Sequence, residues 1–311
     1  MMIEVKKLSM RVWRVYWALL KIMVPVLIIV KLLDVFGASH YLSLVLSPLM
    51  EFVGLPAEMG IVWAAAILVN IYTSMAVFFS IALLEPLTVA QMTVLATMIL
   101  IAHGLPMESA ISKAAGLGWL YTISLRIGGA LVLGFILHWG FDAFSLLQQP
   151  NQVLWRPEVL DDSLQSWLIV QLQTLLFAFV MISSLVVIMR LLDYFGIEKL
   201  LHWLLTPFLK LLGIGKEAAN ITIIGMVLGL SFGGALLIEQ AKSGQVSKRN
   251  IFLAMSLLCL CHSIIEDTLL VMLLGADLLG VLWARLIFSF IFVMVLARVY
   301  FLIDKQKPLI Q

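Results

Sequence analysis

Shifting the chain along itself by 159 residues lays its second half over its first without a gap, from about residue 31 to about residue 138. Leu32-Leu33-Asp34 meets Leu191-Leu192-Asp193, and Phe36-Gly37 meets Phe195-Gly196. Pro48 then meets Pro207, Gly54 meets Gly213, Glu58 meets Glu217, His103 meets His262, Gly116 meets Gly275 and Arg126 meets Arg285. Leucine coincidences are cheap in a Leu-rich chain. Coincidences of Asp, Pro, Glu, His and Arg at one offset are not. The reading is a tandem duplication, with a first repeat over 1–140, an external connecting loop over 141–165 and a second repeat over 166–311.

What each copy can be follows from its solvent. At 63% hydrophobic and 12% charged residues the chain is far too apolar for a soluble domain, so it is expected to be an all-α polytopic membrane protein. Twenty Lys+Arg against eighteen Asp+Glu leave a net charge of +2 and no basic block, which argues against nucleic acid as a partner and makes the lipid bilayer the first partner. Lys6, Lys7, Arg11 and Arg14 before an apolar stretch look like the opening of a signal peptide. Lys21 and Lys31 interrupt that stretch and no small-residue cleavage site follows, so it reads as a retained first helix.

Each copy opens with a stretch long enough to span about 30 Å of hydrocarbon, near 13–33 and near 166–190. Segments 38–54 and 197–213 carry polar residues and a central proline, as a helix lying at the interface would. Segments 57–84 and 216–241 are too long for one crossing and are interrupted by Asn70-Ile71-Tyr72-Thr73-Ser74 and by Gly229-Leu230-Ser231-Phe232-Gly233-Gly234. These predict re-entrant hairpins whose irregular tips face protein or a water-filled cavity. A broken helix follows, interrupted at His103-Gly104-Leu105-Pro106 or at His262-Ser263, and a last span closes each copy at 117–139 or 279–302.

Three crossings per copy require the second copy to be inverted relative to the first. With the N-terminus inside, the cytoplasmic segments collect Lys6, Lys7, Arg11, Arg14, Lys113, Arg190, Lys199, Lys210, Lys216, Lys242, Lys248, Arg249, Arg298, Lys305 and Lys307, leaving only Lys31 and Arg156 outside. The exterior carries Asp34, Glu51, Glu58, Glu85, Asp142, Glu158, Asp161, Asp162 and Asp277. The expectation is an integral protein of a bacterial inner membrane with both termini cytoplasmic.

Glu108, Arg126, Glu266, Asp267 and Arg285 fall inside predicted membrane segments, where an unpaired charge costs at least about 2.5–3.5 kcal/mol and marks a functional site by default. The run His262-Ser263-Ile264-Ile265-Glu266-Asp267-Thr268 is the densest polar cluster in the chain, with His262 and Glu266 on one face if the helix resumes there. His103 and Glu108 are its counterpart. Two readings compete. In one, a solute or ion site is built from the two breaks and the two tips, lined by Asn70, Tyr72, Thr73, Ser74, His103, Glu108, Ser231, Gly233, His262, Ser263, Glu266, Asp267 and Thr268, with His262, Glu266 and Asp267 able to hold a metal. In the other, Arg126 and Arg285 merely neutralise Glu108 and Asp267 as structural ion pairs. The two are compatible. Cys259 and Cys261 are two apart, so at most one can face such a site.

The order of first helix, interfacial helix, re-entrant hairpin, broken helix and last helix, repeated inverted, resembles the transport core of concentrative nucleoside transporters. It is also similar to the wider nucleoside-recognition or Gate-domain family, which includes spore maturation membrane proteins and the membrane part of ferrous-iron permeases. The residues that carry the resemblance are the two tips and the runs His103 to Glu108 and His262 to Thr268. It implies that hairpins and broken helices form a mobile transport unit, and that the first and last helices form a scaffold that associates as a homo-oligomer, dimer or trimer. Neither tip carries the Gln and Glu signature of the nucleoside transporters.

The leading function is a secondary transporter moving a small polar or charged solute by alternating access, since no P-loop is present to drive a primary pump. His, Glu, Asp and Thr favour a cation, with a divalent metal first, over a nucleoside, the alternative that Tyr72 and Phe232 at the tips keep open. A non-transporting module that partners another membrane protein is the alternative of another class. An enzyme is not expected, because His262 and Glu266 do not form HExxH and no general base accompanies them. No organic cofactor is called for; a bound metal or coupling ion is the ligand the cluster admits.

Overall fold

A computed structural model describes residues 2–81, 87–153, 163–244 and 246–305. The first half contains α1 (Met2–Val35), α2 (Ala38–Phe52), α3 (Met59–Leu68), α4 (Ile71–Ile81), α5 (Val89–Ala102), α6 (Leu105–Ala114) and α7 (Trp119–Ala143). The second contains α8 (Leu164–Tyr194), α9 (Ile197–Leu211), α10 (Lys216–Leu228), α11 (Leu230–Ser243), α12 (Lys248–Leu260), α13 (Glu266–Met272), a π turn at Leu279–Ala284 and α14 (Arg285–Lys305). Glu85, Arg156, Glu158, Asp161, Asp162 and Lys307 lie outside the described residues.

Helix starts at 38 and 197, at 71 and 230, and at 89 and 248 follow the sequence offset, and at the first and last of these pairs the residues that set them are the same kind in both halves. Gly37 and Gly196 take left-handed backbone, φ 69° and 71°, to end α1 and α8. Gly54 and Gly213, both at φ 71°, close α2 and α9, donating to Glu51 O at 3.0 Å and Lys210 O at 2.9 Å. The Thr88 hydroxyl caps α5 by accepting from Gln91 N at 3.1 Å, and the Ser247 hydroxyl caps α12 by accepting from Asn250 N at 3.3 Å.

Five helical stretches among the described residues are long and apolar enough to cross a membrane: Val12–Leu33, Val89–Ala114, Trp119–Ala143, Leu164–Leu192 and Leu279–Tyr300. The sixth crossing expected from the sequence, α12 with α13, does not qualify. Its α12 is only 13 residues long, and the break after it is followed at once by Glu266 and Asp267. The protein is thus all-helical and membrane-embedded. Outward-facing Leu168, Leu172, Leu176 and Val180 on α8 present the apolar surface that lipid solvates.

At the centre α5 packs on α7 and α12 on α14, and the two pairs cross over, with α12 against α7 and the π turn against α5. The hairpins are placed less evenly. The first, α3–α4, sets α4 against both α1 and α8, whereas α11 of the second hairpin packs against α6 and α12 and makes no comparable contact with α8 or α1. Within the second hairpin the helices touch backbone to backbone, since a Cβ on Gly233 would collide with the Cα of Gly225.

Among the described residues, two contacts at hydrogen-bond distance join residues 159 apart. Tyr16 Oη donates to Leu175 O at 3.1 Å, and His103 Nε2 lies 3.3 Å from His262 Nε2. A residue can meet its own counterpart only where the two halves adjoin, so the second contact locates the junction at the helix breaks.

Candidate functional site

The breaks arise from backbone that a helix cannot accommodate. After α5, His103 is extended (φ −91°, ψ 160°) and Gly104 is left-handed (φ 57°), and Pro106 then sits in the first turn of α6, where its missing N–H costs nothing. After α12, Cys261 leaves the helix at φ −149° and Ser263 is left-handed at φ 45°, uncommon for a side chain with a Cβ. Each break is clipped to its own hairpin: Gly104 N donates to Ala66 O at 2.9 Å and Ile264 N to Met226 O at 2.8 Å. Peptide groups freed in a membrane interior thereby regain partners.

Four acceptor atoms converge at the junction of the breaks. His103 Nε2 and His262 Nε2 lie 3.5 Å and 3.3 Å from Glu108 Oε1, and His103 Nε2 lies 3.8 Å from Asp267 Oδ2. The side chains are nearly enclosed, 10% and 2% exposed for the histidines and 7% and 13% for the carboxylates. The tautomers follow from the other ring nitrogens. His103 Nδ1 faces Ile99 O at 3.0 Å and His262 Nδ1 faces Leu258 O at 2.7 Å, and a carbonyl oxygen only accepts, so each Nδ1 carries a hydrogen. In the neutral rings both Nε2 atoms then present bare lone pairs to each other and to two carboxylates. Such an arrangement repels itself until a cation, either a proton or a metal ion, enters it.

Glu108 and Asp267 are counterparts at the repeat offset, yet their arginines behave differently. Arg126, fully buried, pairs with Glu108 Oε2, and its Nε donates to Ile101 O at 2.7 Å. Arg285 is equally buried but does not pair with Asp267, which corrects the sequence expectation. Among the described residues Arg285 makes long contacts from Nη2, 3.4 Å to His262 O and 3.5 Å to Thr268 Oγ1, and lies beside the Cys261 thiol, while its Nε and Nη1 make no hydrogen bond to N or O. Two features account for the difference. Aspartate is one methylene shorter than glutamate, and a π turn precedes Arg285 where α7 is α-helical throughout.

The remaining candidates divide. Glu266 is not in the converging group, because residues 261–265 are not helical and the four-residue spacing from His262 places nothing on a common face. His103, His262 and Asp267 have their ligand atoms within 4.8 Å of one another, and Glu108, although paired with Arg126 through its other oxygen, sets Oε1 beside both histidines. Asn70 is spent on capping α4, accepting from Thr73 N at 2.9 Å, and Ser74 donates to Val62 O at 2.9 Å. Thr73 is buried with its hydroxyl unpartnered among the described residues. Tyr72 lines a small apolar cavity with Met23, Met75, Phe79, Phe177 and Met181. Ser231 and Phe232 are exposed, Gly233 packs on Gly225, and Ser263 and Thr268 are buried beside the break. Cys259 contacts the Ser112 hydroxyl at 3.3 Å, and neither cysteine joins the four acceptors.

No family model matches the chain, and no solved structure matches it. A curated relative from Bacillus subtilis (strain 168), named "Uncharacterized membrane protein YvoD", is 27% identical over 303 residues, covering 94% of this chain and 92% of its own length. The likeness therefore runs through both halves and the junction between them.

Proposed function

We propose that the protein is a secondary transporter that moves a small cation, a divalent metal ion first, through the junction of two inverted repeats by alternating access. The observation that carries this reading is the convergence of His103, His262, Glu108 and Asp267 where counterpart residues meet. A single site shared by two copies about a pseudo-two-fold axis is the arrangement on which alternating access operates. The unequal hairpins support it. Inverted copies exchange conformations between outward-facing and inward-facing states, so in any one state α4 and α11 must sit differently, as they do.

In this reading the copies are inverted, both termini are cytoplasmic in a bacterial inner membrane, and the first and last helices form the scaffold, associating as a dimer or trimer as the Gate-domain resemblance implies. A nucleoside is less favoured: Phe232 is 59% exposed, and the groups that converge are two imidazoles and two carboxylates where a nucleoside would want neutral amides and hydroxyls. Elemental analysis of cells expressing the wild type or Asp267→Asn tests the proposal. One divalent metal should change in cellular content several-fold with the wild type alone. Identical metal content in both, together with altered nucleoside uptake, would transfer the proposal to the nucleoside alternative.

A further inference from the structure

The four acceptors also specify which cations fit. We infer that His103, His262, Glu108 and Asp267 form a four-coordinate site for a divalent transition-metal ion of the late first row, and that alkaline-earth ions are excluded. The inference rests on the same cluster being the solute site and goes further by naming its ligands and its ion class.

Two imidazoles and two carboxylates suit zinc, iron, cobalt and nickel, whereas calcium takes six to eight oxygen ligands and magnesium keeps several waters in an octahedral shell.

The distances fit the same ions. Metal–ligand bonds of about 2.0–2.1 Å in a tetrahedron set neighbouring ligand atoms about 3.3–3.4 Å apart. The His103–His262 separation is 3.3 Å, the two His–Glu108 separations are 3.3 and 3.5 Å, and His103–Asp267 is 3.8 Å. Three ligand atoms thus already stand at tetrahedral spacing, and Asp267, whose ligand atom lies within 4.8 Å of both histidine nitrogens, is the one that has to close in on them.

The groups around the ligands fit a metal as well. Both histidines donate Nδ1–H to a backbone carbonyl four residues earlier, which fixes ring orientation and leaves Nε2 free to ligate. Glu108 turns its other oxygen to Arg126, as an outer partner of a ligating carboxylate would be. That arginine also withdraws negative charge from the site, weakening the hold on a metal, which suits an ion that has to leave again.

Cobalt(II) titration of the purified full-length protein in detergent tests this without any transport assay. Tetrahedral cobalt gives intense visible d–d bands that the octahedral ion does not. The expected result is one cobalt per chain with tetrahedral bands, displaced by stoichiometric zinc and retained in a hundred-fold excess of magnesium or calcium. His262→Ala and Asp267→Asn should each weaken binding by more than about 100-fold, while Glu266→Gln binds as the wild type. Weak octahedral spectra, equal displacement by magnesium, or undiminished binding in a monodisperse His103→Ala/His262→Ala variant would overturn the inference. The wild-type spectrum decides even if a variant fails to fold. Tetrahedral binding without metal flux would leave the site standing and remove transport, and flux of another solute without cobalt binding would do the reverse.

Discussion

His103 and His262 point their Nε2 atoms at each other from 3.3 Å across 159 residues of sequence, and each turns its Nδ1 to the carbonyl four residues before it. Two helix breaks in different halves therefore present the same ring in the same tautomer to one point. The carboxylates of Glu108 and Asp267 face that point from the helices that follow the breaks.

The two arginines should differ in what their removal costs. Arg126→Met leaves the Glu108 carboxylate buried without its partner and should destabilise the protein by about 3–5 kcal/mol. Arg285→Met removes a buried charge with no carboxylate within ion-pair distance among the described residues, and should be close to neutral or stabilising. Thermal unfolding of the two variants in detergent checks the order. Equal losses would mean that Arg285 has a strong partner the structure does not assign.

Close backbone approach in the second hairpin makes Gly233 intolerant of a side chain. Gly233→Leu should lower stability by roughly 1–3 kcal/mol through overpacking against Gly225, while Gly128→Leu, where a Cβ would meet nothing within 4 Å, should be tolerated. Yield of monodisperse protein and its unfolding temperature give the comparison.

Alternating access predicts a contact absent from the present packing. Phe79 of α4 lies against Phe177 of α8, ring centroids 5.9 Å apart, and the counterparts of this pair are Ile238 and Ala18. In the opposite-facing state Ile238 of α11 should approach Ala18 of α1. With Cys259 and Cys261 replaced by Ala, an Ile238→Cys/Ala18→Cys pair should cross-link on oxidation during turnover. A pair that never cross-links, while Phe79→Cys/Phe177→Cys does so readily, would argue against exchange of hairpin positions.

Inversion itself is tested by labelling. Single cysteines at Glu85 and at Gly244, in the same cysteine-free background, should be modified by a membrane-impermeant reagent from opposite faces of intact cells. Labelling of both from the same face would rule out the inverted arrangement.

Much of this geometry is legible in the sequence because it rests on residues whose backbone or charge leaves few options. Left-handed glycines and hydroxyl caps recur at the offset, and helix starts recur with them. His103, His262, Glu108 and Asp267 stand out as polar residues in apolar runs. What is not legible is how each break is shaped. Assigning Glu266 to the face of His262 assumes a helix through 262–266, and a left-handed Ser263 removes it. Assigning the tips as liganding groups overlooks that Asn70 and Ser74 have hairpin backbone of their own to satisfy. The unequal arginines depend on one methylene and one π turn, which the alignment of Arg126 with Arg285 conceals.

The most direct test of the central claim is metal flux into proteoliposomes holding the purified protein and a trapped zinc-sensitive dye, with wild type and Asp267→Asn compared at equal incorporation. The account predicts saturable zinc entry with the wild type, competed by cobalt but not by magnesium, and entry at the protein-free rate with Asp267→Asn. Zinc entry no faster than in protein-free vesicles, or equally fast in both proteins, would contradict it.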